Sequence, residues 1–167
     1  MPTGLKQSSA VVAIGFQIIE SAANTFTQGS VDLNSSPLDR EVFVVLAANM
    51  DPFNPDLGGG ESQVATSLTT TSQTAVTNLG NSNCLANSIV TIKADAARAV
   101  GLITGALETP PATLEYIGII ATNDFFVQVT GAGNAAAKGV SGKLYGYRAV
   151  ASADIYAALV QSEVLSA

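Results

Sequence analysis

The chain has 167 residues, of which 47% are hydrophobic and only 12% are charged. This length suits a single domain with a sizeable core, and so high a hydrophobic content with so few charges excludes an intrinsically disordered chain. The net charge of −6 argues against direct nucleic-acid binding, which requires a basic surface, and against an anionic membrane surface as a partner.

The first element in the chain is the apolar segment AVVAIGFQII at 10–19. About 20 apolar residues are needed to cross a bilayer, so we predict no transmembrane segment. We assign residues 1–24 to an N-terminal arm or extra strand and residues 25–167 to one β-sandwich domain. A free apolar segment would aggregate, so we expect this one to be an assembly arm that a neighbouring subunit covers. Its large apolar side chains are Val11, Val12, Ile14, Phe16, Ile18 and Ile19.

Two strands follow, FTQGSVDL at 26–33 and EVFVVLAA at 41–48. The first alternates weakly between polar and apolar residues, and the second is an apolar run rich in β-branched side chains. Pro37 and Asp39 lie between them and are typical turn residues. The pattern predicts two antiparallel strands joined by a turn.

The segment NMDPFNPDLGGGES at 49–62 predicts a long loop, because it contains two prolines and three consecutive glycines. Asp51, Asn54 and Asp56 place three oxygen-bearing side chains close together in the sequence, and Ca²⁺ binds such oxygen ligands. Their spacing is not that of an EF-hand. These residues form a candidate Ca²⁺ loop, and a surface loop of Asx and proline turns is the favoured alternative.

Residues 62–92 then carry no charge, in the sequence SQVATSLTTTSQTAVTNLGNSNCLANSIVTI. β-branched residues predict strands over 64–77 and 88–94, with a turn at 78–83. Cys84 is the only cysteine, and we interpret it as a small buried hydrophobe. A typical soluble domain has about 25% charged residues, and charges are depleted at interface cores because their desolvation is costly. The run therefore predicts obligate self-association.

The C-terminal part of the chain adds further elements. The composition of ADAARAVGLITGALE at 94–108 favours a short helix, although Gly101 and Gly105 interrupt it. The tail at 152–165 predicts a second short helix, capped by Ser152 or Asp154, or a last strand. Strands are predicted at 114–121, 124–130 and 143–151.

The connector GAGNAAAKGVSG at 131–142 contains the pattern G-x-G-x-x-A of dinucleotide-binding sites. Such a site needs the motif to open a helix, but Gly139 and Gly142 interrupt the segment, so we interpret it as a loop between strands. The chain has no His, which excludes Ser–His–Asp and Cys–His catalysis and His-based zinc sites. We expect a protein that is not an enzyme and needs no cofactor.

Seven to nine short strands with a turn about every ten residues are typical of an all-β, antiparallel sandwich. Strand pairs such as TFTQGSVDLNSSPLDREVFVVLAA and EYIGIIATNDFFVQVTG lie within residues 25–151. In this pattern the chain resembles the single jelly-roll capsid proteins of tailless icosahedral viruses of archaea and bacteria. The resemblance implies an eight-stranded jelly roll of two four-stranded sheets, with at most two short helices, assembled into the shell of a virion. Other capsid proteins are then possible partners.

Two other functions fit the same composition. A non-viral subunit of an extracellular filament, tube or surface layer would share the β-sandwich and the low charge, and it could assemble by donor-strand exchange. A carbohydrate-binding β-sandwich at the cell surface is the third alternative. The absence of Trp, with only four Tyr and six Phe, leaves few side chains on which a sugar could stack.

Overall fold

A computed structural model describes residues 4–57, 60–95, 99–105 and 114–165. Within these ranges the chain forms ten β-strands, one 3-10 turn at Pro37–Asp39 and one α-helix, α1, at Ala153–Leu165. The strands are β1 (Leu5–Gln7), β2 (Val12–Ile19), β3 (Thr27–Asp32), β4 (Glu41–Pro52), β5 (Ser62–Thr69), β6 (Cys84–Asp95), β7 (Ala99–Gly105), β8 (Gly118–Ile120), β9 (Asp124–Ala132) and β10 (Gly139–Ala151).

The strands form two antiparallel sheets. In sheet A, β10 pairs with β4 on one side, and β1 and β2 follow one another along its other side; β8 pairs with the far edge of β4. Sheet B has the order β3-β9-β5-β6-β7. The pairs β2–β10, β3–β9, β4–β8 and β5–β6 are nested, with the outermost pair nearest the ends of the chain. This is the pairing of a jelly roll, in which one long hairpin folds over to form both sheets of a sandwich.

This topology confirms the predicted antiparallel sandwich and its jelly-roll form. Eight strands make up the jelly roll, β1 extends the edge formed by β2, and β7 extends sheet B beyond β6. The predicted C-terminal helix is confirmed at Ala153–Leu165.

The main core lies between the two sheets. Alternate residues of β9 face inward, so Phe125, Val127 and Val129 are fully buried. Leu68 of β5 and Leu144 of β10 complete this layer from both sheets.

A β-bulge in sheet A creates a second core on its outer face. Val45 pairs with Gly146 and Ala47 pairs with Tyr145, so Leu46 is an extra residue in β4. On the N-terminal side of the bulge, Val42 and Val44 face outward and pack with Tyr147 under helix α1. The helix contributes Ile155, Tyr156, Leu159 and Val160 to this second core.

The prediction of a helix at 94–108 is wrong for the described residues of that range. Strand β6 continues to Asp95, and 99–105 form strand β7. Pairing with β6, for example Ile92 with Leu102, stabilises the extended conformation, and Gly101 weakens the competing helix. Residues 96–98 and 106–108 lie outside the described part of the chain.

Of the two alternatives for the N-terminal segment, the structure contains the extra strand. All eight residues of β2 pair with β10 of the same chain, from Val12 with Gly146 to Ile19 with Gly139. Phe16 is buried against Phe125, with ring centroids 5.8 Å apart at an interplanar angle of 75°. The prediction of an assembly arm that a neighbouring subunit covers therefore needs correction, because the inward side of β2 packs against the chain's own core. Val12, Ile14, Phe16 and Ile18 form this inward side, and Val11 and Ile19 are exposed.

Candidate assembly surfaces

Much of the uncharged run at 62–92 lies inside the chain. Strand β5 is buried on both faces, although only one of them faces the core between the sheets. The run's buried polar residues are Ser62, Thr66, Ser67, Thr69, Thr70, Thr71, Asn83, Asn87, Ser88 and Thr91. For these buried residues, packing within one chain is a second explanation for the lack of charge, so the run by itself does not identify a subunit interface.

A row of four polar side chains crosses the outer face of sheet B. Gln28, Gln128, Ser67 and Asn87 lie opposite one another on β3, β9, β5 and β6. We call these four residues the polar row. Ser67 Oγ donates to Gln128 Oε1 at 2.8 Å, and Gln128 Nε2 donates to Gln28 Oε1 at 2.9 Å and to Thr69 Oγ1 at 2.7 Å. Both N–H groups of the buried Gln128 amide and one lone pair of its oxygen are thereby hydrogen-bonded.

Residues 70–83, which join β5 to β6, are bound to the polar row; we call them the covering loop. The Gln73 N–H donates to Gln28 Oε1 at 2.7 Å, and the Thr77 N–H donates to Ser67 Oγ at 3.1 Å. Asn87 Nδ2 donates to the Thr77 carbonyl oxygen at 2.6 Å. Neutral amides and hydroxyls make these contacts with a smaller desolvation cost than charged groups, so the segment is polar but uncharged.

The three candidate Ca²⁺ residues do not all lie in one loop. Asp51 lies in strand β4 opposite Ser141, and Asn54 is exposed. Asp56 Oδ1 accepts a 2.5 Å ion-pair hydrogen bond from Lys138 Nζ, and its Oδ2 accepts from the N–H groups of Ala135 and Ala136. The Lys138 ammonium lowers the pKa of the Asp56 carboxyl, and the backbone hydrogen bonds add to this effect. Within the described ranges, no group of three or more His, Cys, Asp or Glu side chains is placed to hold a metal ion.

The GAGNAA segment at 131–136 forms the last two residues of β9 and the start of the connection to β10. Asn134 is buried; its Oδ1 accepts from the Asp56 N–H, and its Nδ2 donates to the Gln63 carbonyl oxygen, each at 2.9 Å. The buried Glu20 carboxylate accepts from the N–H groups of Gly131 at 2.6 Å and Lys138 at 2.8 Å. These contacts fix the connections around β2, β5 and β10 at one end of the sandwich, and no pattern in the sequence indicated them.

Helix α1 is attached to sheet A through a buried carboxylate. Glu163 Oε2 accepts from the Ala121 N–H at 2.8 Å, and Oε1 accepts from Thr122 Oγ1 at 2.9 Å. Burial raises the pKa of Glu163, and the hydrogen bonds to its charged form offset this only in part. The apolar residues at the end of the helix, Val164 and Leu165, are exposed.

Strand β7 leaves apolar side chains uncovered. Leu102 is 63% exposed and Ile103 is 53% exposed. They are consecutive residues of an edge strand, so they point to opposite faces of sheet B. Neither face of β7 is therefore covered at these positions, in contrast to β5 in the same sheet.

The outer face of sheet A is open where helix α1 does not cover it. Beyond the bulge, Asn49 and Asp51 of β4 lie beside Lys143 and Ser141 of β10. They line a shallow groove of about 550 Å³, to which Met50, Gly142 and Tyr145 also contribute. The groove is wide and open, and its lining is about equally polar and apolar.

Of the six basic residues in the described ranges, the following three are engaged within the chain. Lys138 pairs with Asp56, Lys93 Nζ lies 3.5 Å from Glu61 Oε2, and the Arg148 guanidinium donates to the Leu33 carbonyl oxygen.

Cys84 is only half-buried, and burial raises the pKa of its thiol. None of the described helices is long and apolar enough to cross a membrane.

Comparison with known proteins gives little guidance. No protein-family model matches the sequence, and no curated protein matches it significantly. A chain from a structure of Desmodium yellow mottle tymovirus is 17% identical, with 92% of this chain and 95% of that chain covered, at a TM-score of 0.34. A chain of the tailspike protein gp49 from Acinetobacter baumannii bacteriophage Fri1, a capsular polysaccharide depolymerase, is 14% identical over 72% of this chain and 20% of that chain, at a TM-score of 0.16. Both TM-scores are too low for these similarities to carry an argument.

Proposed function

We propose that this chain is a structural subunit that assembles with copies of itself, and that the assembly is the shell of a viral capsid. The observation that carries the proposal is the uncharged, apolar edge of the jelly roll at β7. A strand of this kind is a hazard for a protein that works as a monomer, because its unpaired backbone groups invite another strand. It suits a subunit whose edges are covered by neighbours.

The capsid assignment within this proposal rests on the resemblance in fold and composition to single jelly-roll coat proteins. A location in the virion, a tailless virus of archaea or bacteria, and other capsid proteins as partners belong to the same analogy, since one fold serves many functions. We further propose that the subunit is not an enzyme and needs no cofactor. The engagement of Lys93, Lys138 and Arg148 within the chain supports the proposal that it does not bind nucleic acid directly.

Negative-stain electron microscopy of the purified chain over a range of concentrations tests this function. Closed shells of uniform size support the capsid subunit. Filaments, tubes or flat arrays would instead select the non-viral structural subunit of an extracellular or cell-surface assembly. Isolated particles of monomer size at every concentration would refute both. In that case a glycan array would examine the remaining alternative, a carbohydrate-binding module.

A further inference from the structure

We propose that strand β7 is the contact at which a second copy of this chain adds its own β7, so that sheet B continues across two subunits. The inference rests on the proposed self-assembly and names a surface that carries it. It assigns the contact to a two-fold pairing of identical strands.

The first argument is that β7 is open on three sides. It pairs with β6 along one edge, and no other described strand pairs with its second edge. The side chains of Leu102 and Ile103 are exposed on opposite faces. A Cβ atom added at Gly101 would meet no atom within 4 Å among the described residues. The described part of the chain therefore leaves both faces and the outer edge of β7 accessible.

The second argument concerns the backbone. In an antiparallel edge strand, the N–H and C=O groups of alternate residues point away from the paired strand, and another extended chain can pair with them in register. Soluble monomers protect such edges with Lys, Pro, bulges or very short strands. The sequence of β7, AVGLITG, contains neither a charged residue nor Pro, and it is seven residues long.

The third argument selects a second copy as the partner. Each chain has a net charge of −6, so two copies approach most easily where neither carries charge. Two charged residues of β6 lie beside β7: Lys93, opposite Gly101 with its Nζ 3.5 Å from Glu61 Oε2, and Asp95, opposite Ala99. Both belong to the strand on the paired side of β7, and β7 itself carries no charge. An antiparallel pairing about a two-fold axis places apolar side chains of one β7 beside the same apolar side chains of the other. The contact is therefore self-complementary, as an isologous interface must be.

A pair of variants with equal charge change tests the inference. Leu102→Lys places a protective cation on the edge of β7. The matched control is Leu79→Lys in the covering loop, where the leucine is 64% exposed compared with 63% for Leu102. Light scattering against concentration measures assembly, and amide hydrogen exchange at low and high concentration locates the residues that become protected. A thermal melt at low concentration verifies that each variant is folded.

We expect the wild-type amides at 101–104 that point away from β6, which belong to alternate residues, to gain protection as concentration rises. Leu102→Lys should raise the concentration needed for assembly at least tenfold, while Leu79→Lys should leave it within twofold. The inference is overturned if the wild-type chain assembles while these amides exchange at an unchanged rate, or if both variants assemble alike. A wild-type chain that stays monomeric at every concentration overturns the proposed function itself. The two failures are distinguishable, because the inference about β7 alone fails when the wild-type chain still assembles.

Discussion

Ser67 and Gln128 lie directly opposite each other on β5 and β9, and Ser67 Oγ donates a 2.8 Å hydrogen bond to Gln128 Oε1 on the outer face of sheet B. Both side chains are fully buried, because the covering loop at 70–83 lies over them and is bound to the same row. This pair shows how the chain has a long polar segment without charge. The uncharged run at 62–92 includes the covering loop and part of the polar row, and hydrogen bonds between them hold the loop on the outer face of sheet B.

The polar row should contribute measurably to stability. Gln128→Ala removes the acceptor of the buried Ser67 O–H, although the Ser67 oxygen still accepts from the Thr77 N–H. We expect a loss of about 1–3 kcal/mol in the free energy of unfolding, because a buried donor without an acceptor is costly. Urea denaturation measures this loss. Gln17→Ala, at an exposed position of β2, is the control and should change stability by less than about 0.5 kcal/mol. Equal effects of the two substitutions would show that the row does not stabilise the fold.

Glu163 should make stability depend on pH. Its pKa in the folded state is raised above the ordinary value of 4.5, so the folded chain binds its proton more tightly than the unfolded chain. The contribution of Glu163 is therefore fully present below pH 4.5 and is lost as pH rises through the raised folded-state pKa. The variant Glu163→Gln cannot ionise and should not lose stability in this window. Denaturation midpoints measured between pH 4 and pH 8 should diverge between wild type and variant as pH rises, and parallel curves would contradict the assignment.

Gly133 should tolerate no side chain. Its φ angle is +66°, and an added Cβ would lie 2.4 Å from the carbonyl oxygen of Glu61. We expect Gly133→Ala to cost at least about 1–2 kcal/mol of unfolding free energy, from the left-handed backbone alone. Gly60→Ala is the matched control, since a Cβ there meets no atom of the described residues within 4 Å and Gly60 lies outside strand β7. If both variants unfold at the same urea concentration, the conformation assigned to the 131–136 junction is wrong.

Strand β2 should be required for folding. Phe16 is buried against Phe125, so we expect Phe16→Ala to cost about 3–5 kcal/mol. Deletion of residues 1–20 removes all of β2 and should give a chain that does not fold cooperatively by circular dichroism. A truncated chain that folds but assembles poorly would restore the role of an assembly arm.

The sequence was sufficient to predict the sandwich because periodicity reports directly on burial. The alternation in DFFVQVT places Phe125 and Val127 in the core, and turn residues separate the strands. It was not sufficient for β7, because helix-favouring residues at 94–108 predicted a helix where the structure has a strand paired with β6. The preference of a segment for a strand depends on its cross-strand and packing contacts, here those with the preceding strand β6, more than on its own composition.

The buried polar contacts could not be predicted from the sequence either. Nothing in the run at 62–92 distinguishes Ser67, which is buried under the covering loop, from a serine at a subunit interface. Glu20 and Glu163 would be expected on the surface by type, yet each is buried and accepts backbone hydrogen bonds. Such sites depend on which backbone N–H groups the fold leaves without a partner, and only the three-dimensional structure reveals that.

Sedimentation velocity of the purified wild-type chain, from sub-micromolar to high-micromolar concentration, tests the central claim of self-assembly most directly. The account predicts a fast-sedimenting species, far larger than one 167-residue chain, whose fraction grows with concentration. A single boundary of monomer size at all concentrations would contradict it.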